Sequence, residues 1–144
     1  MLFRSYWEKQ QASPRWYNWT GYAFEAICYR HLPQINRALH LGSSAVPNTW
    51  RYVPKHEDKG QGAQIDLLFD RTDDAITICE IKYTKEPFII DKQYAENLLN
   101  KTKIFKQQTR TSKDLFISMI TSNGIKPTLY SKKIVSGVVT LDDF

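Results

Sequence analysis

Asp66, Glu80 and Lys82 are the residues whose types and spacing best suit chemistry in this chain of 144 residues. Asp66 interrupts the apolar run Gly62-Ala-Gln-Ile-Asp66-Leu-Leu-Phe-Asp70. Glu80 and Lys82 stand two apart in Ile76-Thr-Ile-Cys-Glu80-Ile-Lys82, and residues 67 to 79 separate the two acids. An unpaired ion inside a hydrophobic strand costs on the order of several kcal/mol in lost hydration. A divalent cation held between the carboxylates offsets that cost. Two acids, a hard cation and a lysine are then equipment for phosphodiester cleavage. A structural ion pair, Glu80–Lys82 or Asp66–Lys82, closing one edge of a core is the competing explanation, and the pattern alone leaves both open.

Two strands must position these groups. Alternating and continuous apolar runs predict strands over 64–69 and 75–83, joined by the turn-forming Asp70-Arg-Thr-Asp-Asp74. Side chains alternate along a strand, so Glu80 and Lys82 share a face with Ile76 and Ile78. A hairpin centred on Thr72 or Asp73 places Asp66 opposite Ile78 or Glu80, about 5 to 8 Å from Glu80 at the backbone. Carboxylates that close repel unless a proton or a cation lies between them.

Two helices contribute further candidates. Thr20 is expected to cap a helix over 21–31, with Phe24, Ile27, Cys28 and His31 on its apolar stripe and Glu25 half-buried between Tyr22 and Cys28/Tyr29. The longest helix is expected over 91–109. There Tyr94, Leu98, Lys101 and Phe105 fall at i, i+4, i+7 and i+11, putting Lys101 on the stripe that faces the sheet. Such a lysine snorkels to water or reaches a phosphate. A second helix over 33–41 opens on Pro33 and stops at Gly42. Further strands are expected over 45–53, 115–121 and 133–141, and residues 55–62 read as a mobile, charged loop. The order is that of a mixed α/β layered domain.

The length suits one core. The 42% hydrophobic and 13% aromatic content belongs to a folding chain. The net charge of +5 leans mildly toward polyanions. Cys28 and Cys79, each in apolar surroundings, are expected as buried free thiols in a reducing cytoplasm. The histidines His31, His40 and His56 show no zinc-ligand spacing. No GxxxxGK[ST] string, signal-peptide core or apolar run of membrane-spanning length occurs, which predicts a protein with no membrane association and no P-loop of its own. Tyr6, Trp7, Trp16, Tyr17 and Trp19 need cover, either on this domain or on a partner. They separate an aromatic segment, 1–19, from a domain over 20–144.

Asp66 and Glu80-x-Lys82, after a helix bearing Glu25, resemble the PD-(D/E)XK nuclease superfamily, whose fold is restriction-endonuclease-like. More narrowly, five stretches are similar to the nuclease-like domain at the C-terminus of a family of prokaryotic AAA-type ATPases: Trp19-Thr-Gly-Tyr-Ala-Phe-Glu25, Gly62-Ala-Gln-Ile-Asp-Leu-Leu68, Ile78-Cys-Glu-Ile-Lys82, Pro87-Phe-Ile-Ile-Asp91-Lys92 and Phe116 to Gly124. The likeness runs from about Trp16 to Phe144. It implies a mixed central β-sheet flanked by α-helices and a Mg²⁺ (or Mn²⁺) site. Asp66 and Glu80 would be metal ligands, with the backbone carbonyl of Ile81 and an accessory Glu25. Lys82 would activate the attacking water. Lys101 is a further accessory candidate. In that family an ATPase domain precedes this one. Met1 begins about where the nuclease-like portion would start, so a stand-alone form, an excised piece and one half of a split gene are all open, the last with a separate ATPase subunit as partner. The expected function is hydrolysis of nucleic acid, with DNA the expected substrate. The alternatives are a docking module that binds nucleic acid without cutting and an interaction domain for the ATPase. Many nucleases of this fold dimerise to cut both strands, so a homodimer is an open expectation.

Overall fold

The computed structural model describes residues 14–56 and 60–144, with side chains described from Trp19 onward. The expected mobile loop lies partly outside these residues, and so do the side chains of Tyr6, Trp7, Trp16 and Tyr17.

A five-stranded mixed sheet forms the centre, its strands lying side by side in the order in which they are given next. β1 (Val46–Tyr52), β2 (Ala63–Asp70) and β3 (Ala75–Lys82) follow one another antiparallel. β5 (Asp114–Thr121) and β7 (Val135–Val139) continue the sheet in parallel. A parallel neighbour cannot be reached by a tight turn. The chain therefore crosses over through α3 (Lys92–Thr109) between β3 and β5, and through α4 (Leu129–Ile134) between β5 and β7. α1 (Pro14–Arg30) and α2 (Leu32–Leu39) precede the sheet. A parallel pair, β4 (Phe88–Ile89) with β6 (Ile125–Lys126), and a closing 3₁₀ turn, Leu141–Asp143, complete the described elements.

β3 is buried along its whole length except Lys82, because both of its faces are covered. On one face Leu67, Phe69, Cys79, Ile81 and Ile120 pack against Phe24 and Cys28 of α1 and Ile35 of α2. On the other, Ile65, Leu68, Ile76 and Ile78 meet Phe105 of α3, and Ile117 and Met119 meet Ala95 and Leu98 of the same helix. The sheet is thus the middle layer of three, as the apolar run on β3 requires. Cys28 and Cys79 are free and buried. No helix of the described residues is long and apolar enough to cross a membrane.

Several boundaries differ from expectation. The first helix starts at Pro14, so Thr20 is a buried residue within it and not its cap, and the helix runs through the boundary set at residues 19 and 20. α2 ends at His40, which adopts the left-handed conformation (φ 55°) two residues before Gly42 and returns its N–H to Arg37 and Asn36. Residues 129–134, partly assigned to the last strand, form a helix. Thr128 accepts from the Ser131 N–H at 3.0 Å, and Ser131 Oγ accepts from the Thr128 N–H at 2.8 Å. That reciprocal cap satisfies two backbone donors and starts the turn.

Candidate functional site

The hairpin register settles which residues face each other. Leu67 pairs with Cys79, Leu68 with Ile78, Phe69 with Thr77 and Asp70 with Ile76. This is the arrangement centred on Asp73. Asp74 takes a positive φ of 61°, and the Arg71 N–H donates to the Ala75 carbonyl at 3.0 Å to close the turn. One step further along the same register, Asp66 falls across from Glu80. The ladder stops at Leu67–Cys79, however, because β2 carries a bulge.

On its other side β2 pairs with β1 as Asn48–Leu68 and then Trp50–Ile65. Two residues of β2, Asp66 and Leu67, therefore oppose the single Thr49. An extra residue breaks the pleat's alternation and re-aims the side chain it carries. Ile65 and Leu68 both join the α3 face and Leu67 the α1 face, which leaves Asp66 at the irregularity. Tyr29 of α1 fixes this point from outside: its hydroxyl donates to the Asp66 carbonyl at 2.7 Å.

Glu80 is 4% exposed. Its partner is Lys101 of α3, whose Nζ donates to Glu80 Oε1 at 2.7 Å. Lys101 lies on the sheet-facing stripe, as its spacing predicts, and reaches a carboxylate there. Neither expected core-edge pair, Glu80–Lys82 or Asp66–Lys82, is present among the described residues. Lys82 instead turns its ammonium to two aromatic faces, 5.3 Å from the Tyr94 centroid and 5.9 Å from that of Phe88.

Electrostatics link the acids through Asp66. Burial pushes the Glu80 carboxyl above the usual carboxylate range. Lys101 opposes that shift by charge and by hydrogen bond, the Asp66 charge adds to it, and Lys82 counters weakly. Glu25 of α1, half-buried as expected, is also raised, first by burial and then by Asp66, with Lys82 opposing. The Tyr29 and Tyr94 phenols are raised as well, mainly by burial and secondarily by these same acids. Asp66 thus acts on acids of both layers: Glu25 from the α1 side and Glu80 from the α3 side.

Sequence reasoning placed Asp66, Glu80, Lys82, Glu25 and Lys101 in one neighbourhood, and the structure gathers them around the end of β3. It does not bring three of the described His, Cys, Asp or Glu side chains to one point in the manner of a formed metal cluster. Glu25 and Glu80 belong to opposite faces of the sheet. Ile81 buries its side chain on the α1 face. Its backbone lies where β3 runs on beyond its ladder with β2. In donor chemistry the set fits a hard cation: every candidate ligand atom is oxygen, and like charges crowd Asp66. Tyr29, Tyr94 and Phe88 were not identified from sequence as site residues. The i, i+7 spacing of Tyr94 and Lys101 on one helix was the available signal for Tyr94. A cavity of about 590 Å³, lined by Leu32, Arg37, His40 and Phe69 among others, lies at the other end of β2, away from these groups.

No protein-family model, curated protein or solved structure matches this chain.

Proposed function

We propose that the chain is a metal-dependent nuclease of restriction-endonuclease-like fold that hydrolyses phosphodiester bonds in nucleic acid, with DNA as the expected substrate. The observation that carries this reading is the bulge at Asp66, one step past the last β2–β3 pair, where the Asp66 charge acts on Glu80, with Lys82 two residues from Glu80 on β3 and free of any ion pair among the described residues. A mixed sheet between helical layers, with the acids on adjacent strands, is the architecture the resemblance implies. Asp66 and Glu80 would hold Mg²⁺ or Mn²⁺, with the Ile81 carbonyl and Glu25 as accessory ligands. Such an ion supplies a polarised phosphate and a water of lowered pKa. Lys82 brings a positive charge to the phosphate as negative charge builds on it in the transition state. Lys101 donates a hydrogen bond to Glu80 and favours its charged form against the burial that raises its pKa.

The test is cleavage of labelled single-stranded DNA, duplex DNA and RNA, with Mg²⁺, Mn²⁺ or chelator. Expected is metal-dependent cleavage of at least one substrate, lost on Asp66→Ala and on Lys82→Ala. Calorimetric titration of Mg²⁺ and Mn²⁺ into wild type and Asp66→Ala, in metal-free buffer, accompanies it: heat of binding should appear in the first and vanish in the second. Absence of cleavage and of metal binding would sink the proposal.

A second reading is a non-cleaving module that docks nucleic acid or a separate AAA-type ATPase subunit. Its support is the outer face of α1, where Trp19 and Tyr22 are 61% and 72% exposed. Exposed aromatic rings suit base stacking or a protein interface. Salt-sensitive binding without cleavage in either metal would favour nucleic-acid docking.

A further inference from the structure

A lysine whose charge acts on two acids, Glu25 and Glu80, would ordinarily fall onto one of them. Lys82 does not, and the surrounding side chains explain why. The Phe88 and Tyr94 rings meet edge to face, with centroids 4.9 Å apart and planes at 77°, and so form a corner. The Lys82 ammonium lies within about 6 Å of both ring centres, the range in which the ring quadrupole attracts a cation. Each wall of the corner is tied down by backbone. The Tyr94 N–H donates to the Asp91 carboxylate at 2.8 Å, which is the N-cap of α3. The Phe88 N–H donates to the Gly124 carbonyl at 2.9 Å, and Phe88 pairs with Ile125 in the small sheet. The Tyr94 hydroxyl is buried and has no hydrogen-bond partner among the described residues. What Tyr94 presents to Lys82 is its ring.

We propose that Phe88 and Tyr94 are positioning residues for Lys82: their faces hold its ammonium off the carboxylates and keep it available to a phosphate. The availability to phosphate rests on the nuclease reading. The aromatic hold does not, and it is tested without activity.

The full chain is labelled with ¹³C-lysine, and the Lys82 ε-methylene signal is identified by its loss in Lys82→Arg. Ring currents should place that signal upfield of the other lysines. Tyr94→Phe should leave it there. Tyr94→Leu and Phe88→Leu should each move it toward the solvent-exposed lysines. If one leucine variant fails to fold, the other carries the test. A Lys82 signal that is not displaced in wild type, or that stays displaced in a folded leucine variant, overturns the proposal. In the cleavage assay the leucine variants should lower kcat about five- to tenfold with KM unchanged. Full kcat in folded leucine variants overturns the positioning role. Absence of cleavage in wild type, with the ring-current shift behaving as expected, leaves the hold in place and removes the nuclease reading instead.

Discussion

Replacing Lys101 with methionine removes the positive partner of a buried carboxylate while keeping the length of the side chain. Glu80 is 5% exposed in its side chain and Lys101 is 26% exposed, so water screens one end of the pair only. Removing one member of a fully buried pair costs about 3–5 kcal/mol, and the partial exposure of Lys101 places this case near the lower end, at about 3 kcal/mol. The loss should depend on pH. The folded-state pKa of Glu80 is already raised above its unfolded value, with Lys101 opposing the rise, so the methionine variant raises it further. A raised folded pKa gives stability that is complete below the unfolded pKa and is lost as pH rises through the folded pKa. The cost of Lys101→Met should therefore be small near about pH 4, where Glu80 is protonated with or without its partner, and grow through neutral pH. Urea denaturation in metal-free buffer at several pH values measures it. Adding Glu80→Gln to Lys101→Met should abolish most of the pH dependence. An equal loss at about pH 4 and pH 8, or a double variant with the same pH profile as Lys101→Met, would refute the reasoning.

Three other outcomes are expected. Gly62→Ala places a methyl group 2.9 Å from the Tyr52 carbonyl oxygen and 3.2 Å from Pro54 Cδ. Backbone cannot yield there as a side chain can, so a loss of about 1–3 kcal/mol in urea denaturation should result. Tyr29→Phe removes the hydrogen bond to the Asp66 carbonyl and should lower stability by about 1 kcal/mol; if the nuclease reading holds, it should also lower kcat by loosening the bulge. Burial pushes the Cys28 thiol up to about 12 and the Cys79 thiol higher still. Both should resist a thiol reagent at about pH 8 in the native protein and react quickly once it is unfolded, as absorbance stopped-flow would show.

The strands over 64–69 and 75–83 were readable to within a residue because burial leaves a direct mark on composition: β3 is buried at every position but Lys82, and β2 buries Ile65, Leu67, Leu68 and Phe69. The register was not, because Asp70-Arg-Thr-Asp-Asp74 turns equally well about two centres. Only the Arg71–Ala75 bond and the positive φ of Asp74 choose between them. The bulge was invisible for a related reason, since an extra residue exists only relative to a partner strand. Lys101 was correctly set on the buried stripe of its helix, but the ion pairs weighed for Glu80 and Asp66 both used Lys82. Spacing along one strand says that Glu80 and Lys82 share a face. It does not weigh a lysine 21 residues away against two aromatic rings that draw the nearer one aside. The helix over Leu129–Ile134 was overlooked because its cap uses serine at the third position in place of glutamate or glutamine.

The mixed sheet has a consequence for the order in which the chain can assemble. β1, β2 and β3 are consecutive antiparallel strands, and the β2–β3 turn over 71–74 closes with little entropic cost. β5 reaches β3 only after the chain has run through α3, and such distant contacts form more slowly. The short-range meander brings Asp66 close to Glu80, while Lys101 sits on the crossover itself. The step that seals Glu80 away from water, docking of α3 and β5 onto β3, is thus the same step that delivers its counter-charge. A meander formed first would leave its carboxylates in water until Lys101 docked, so that Glu80 would never be buried alone.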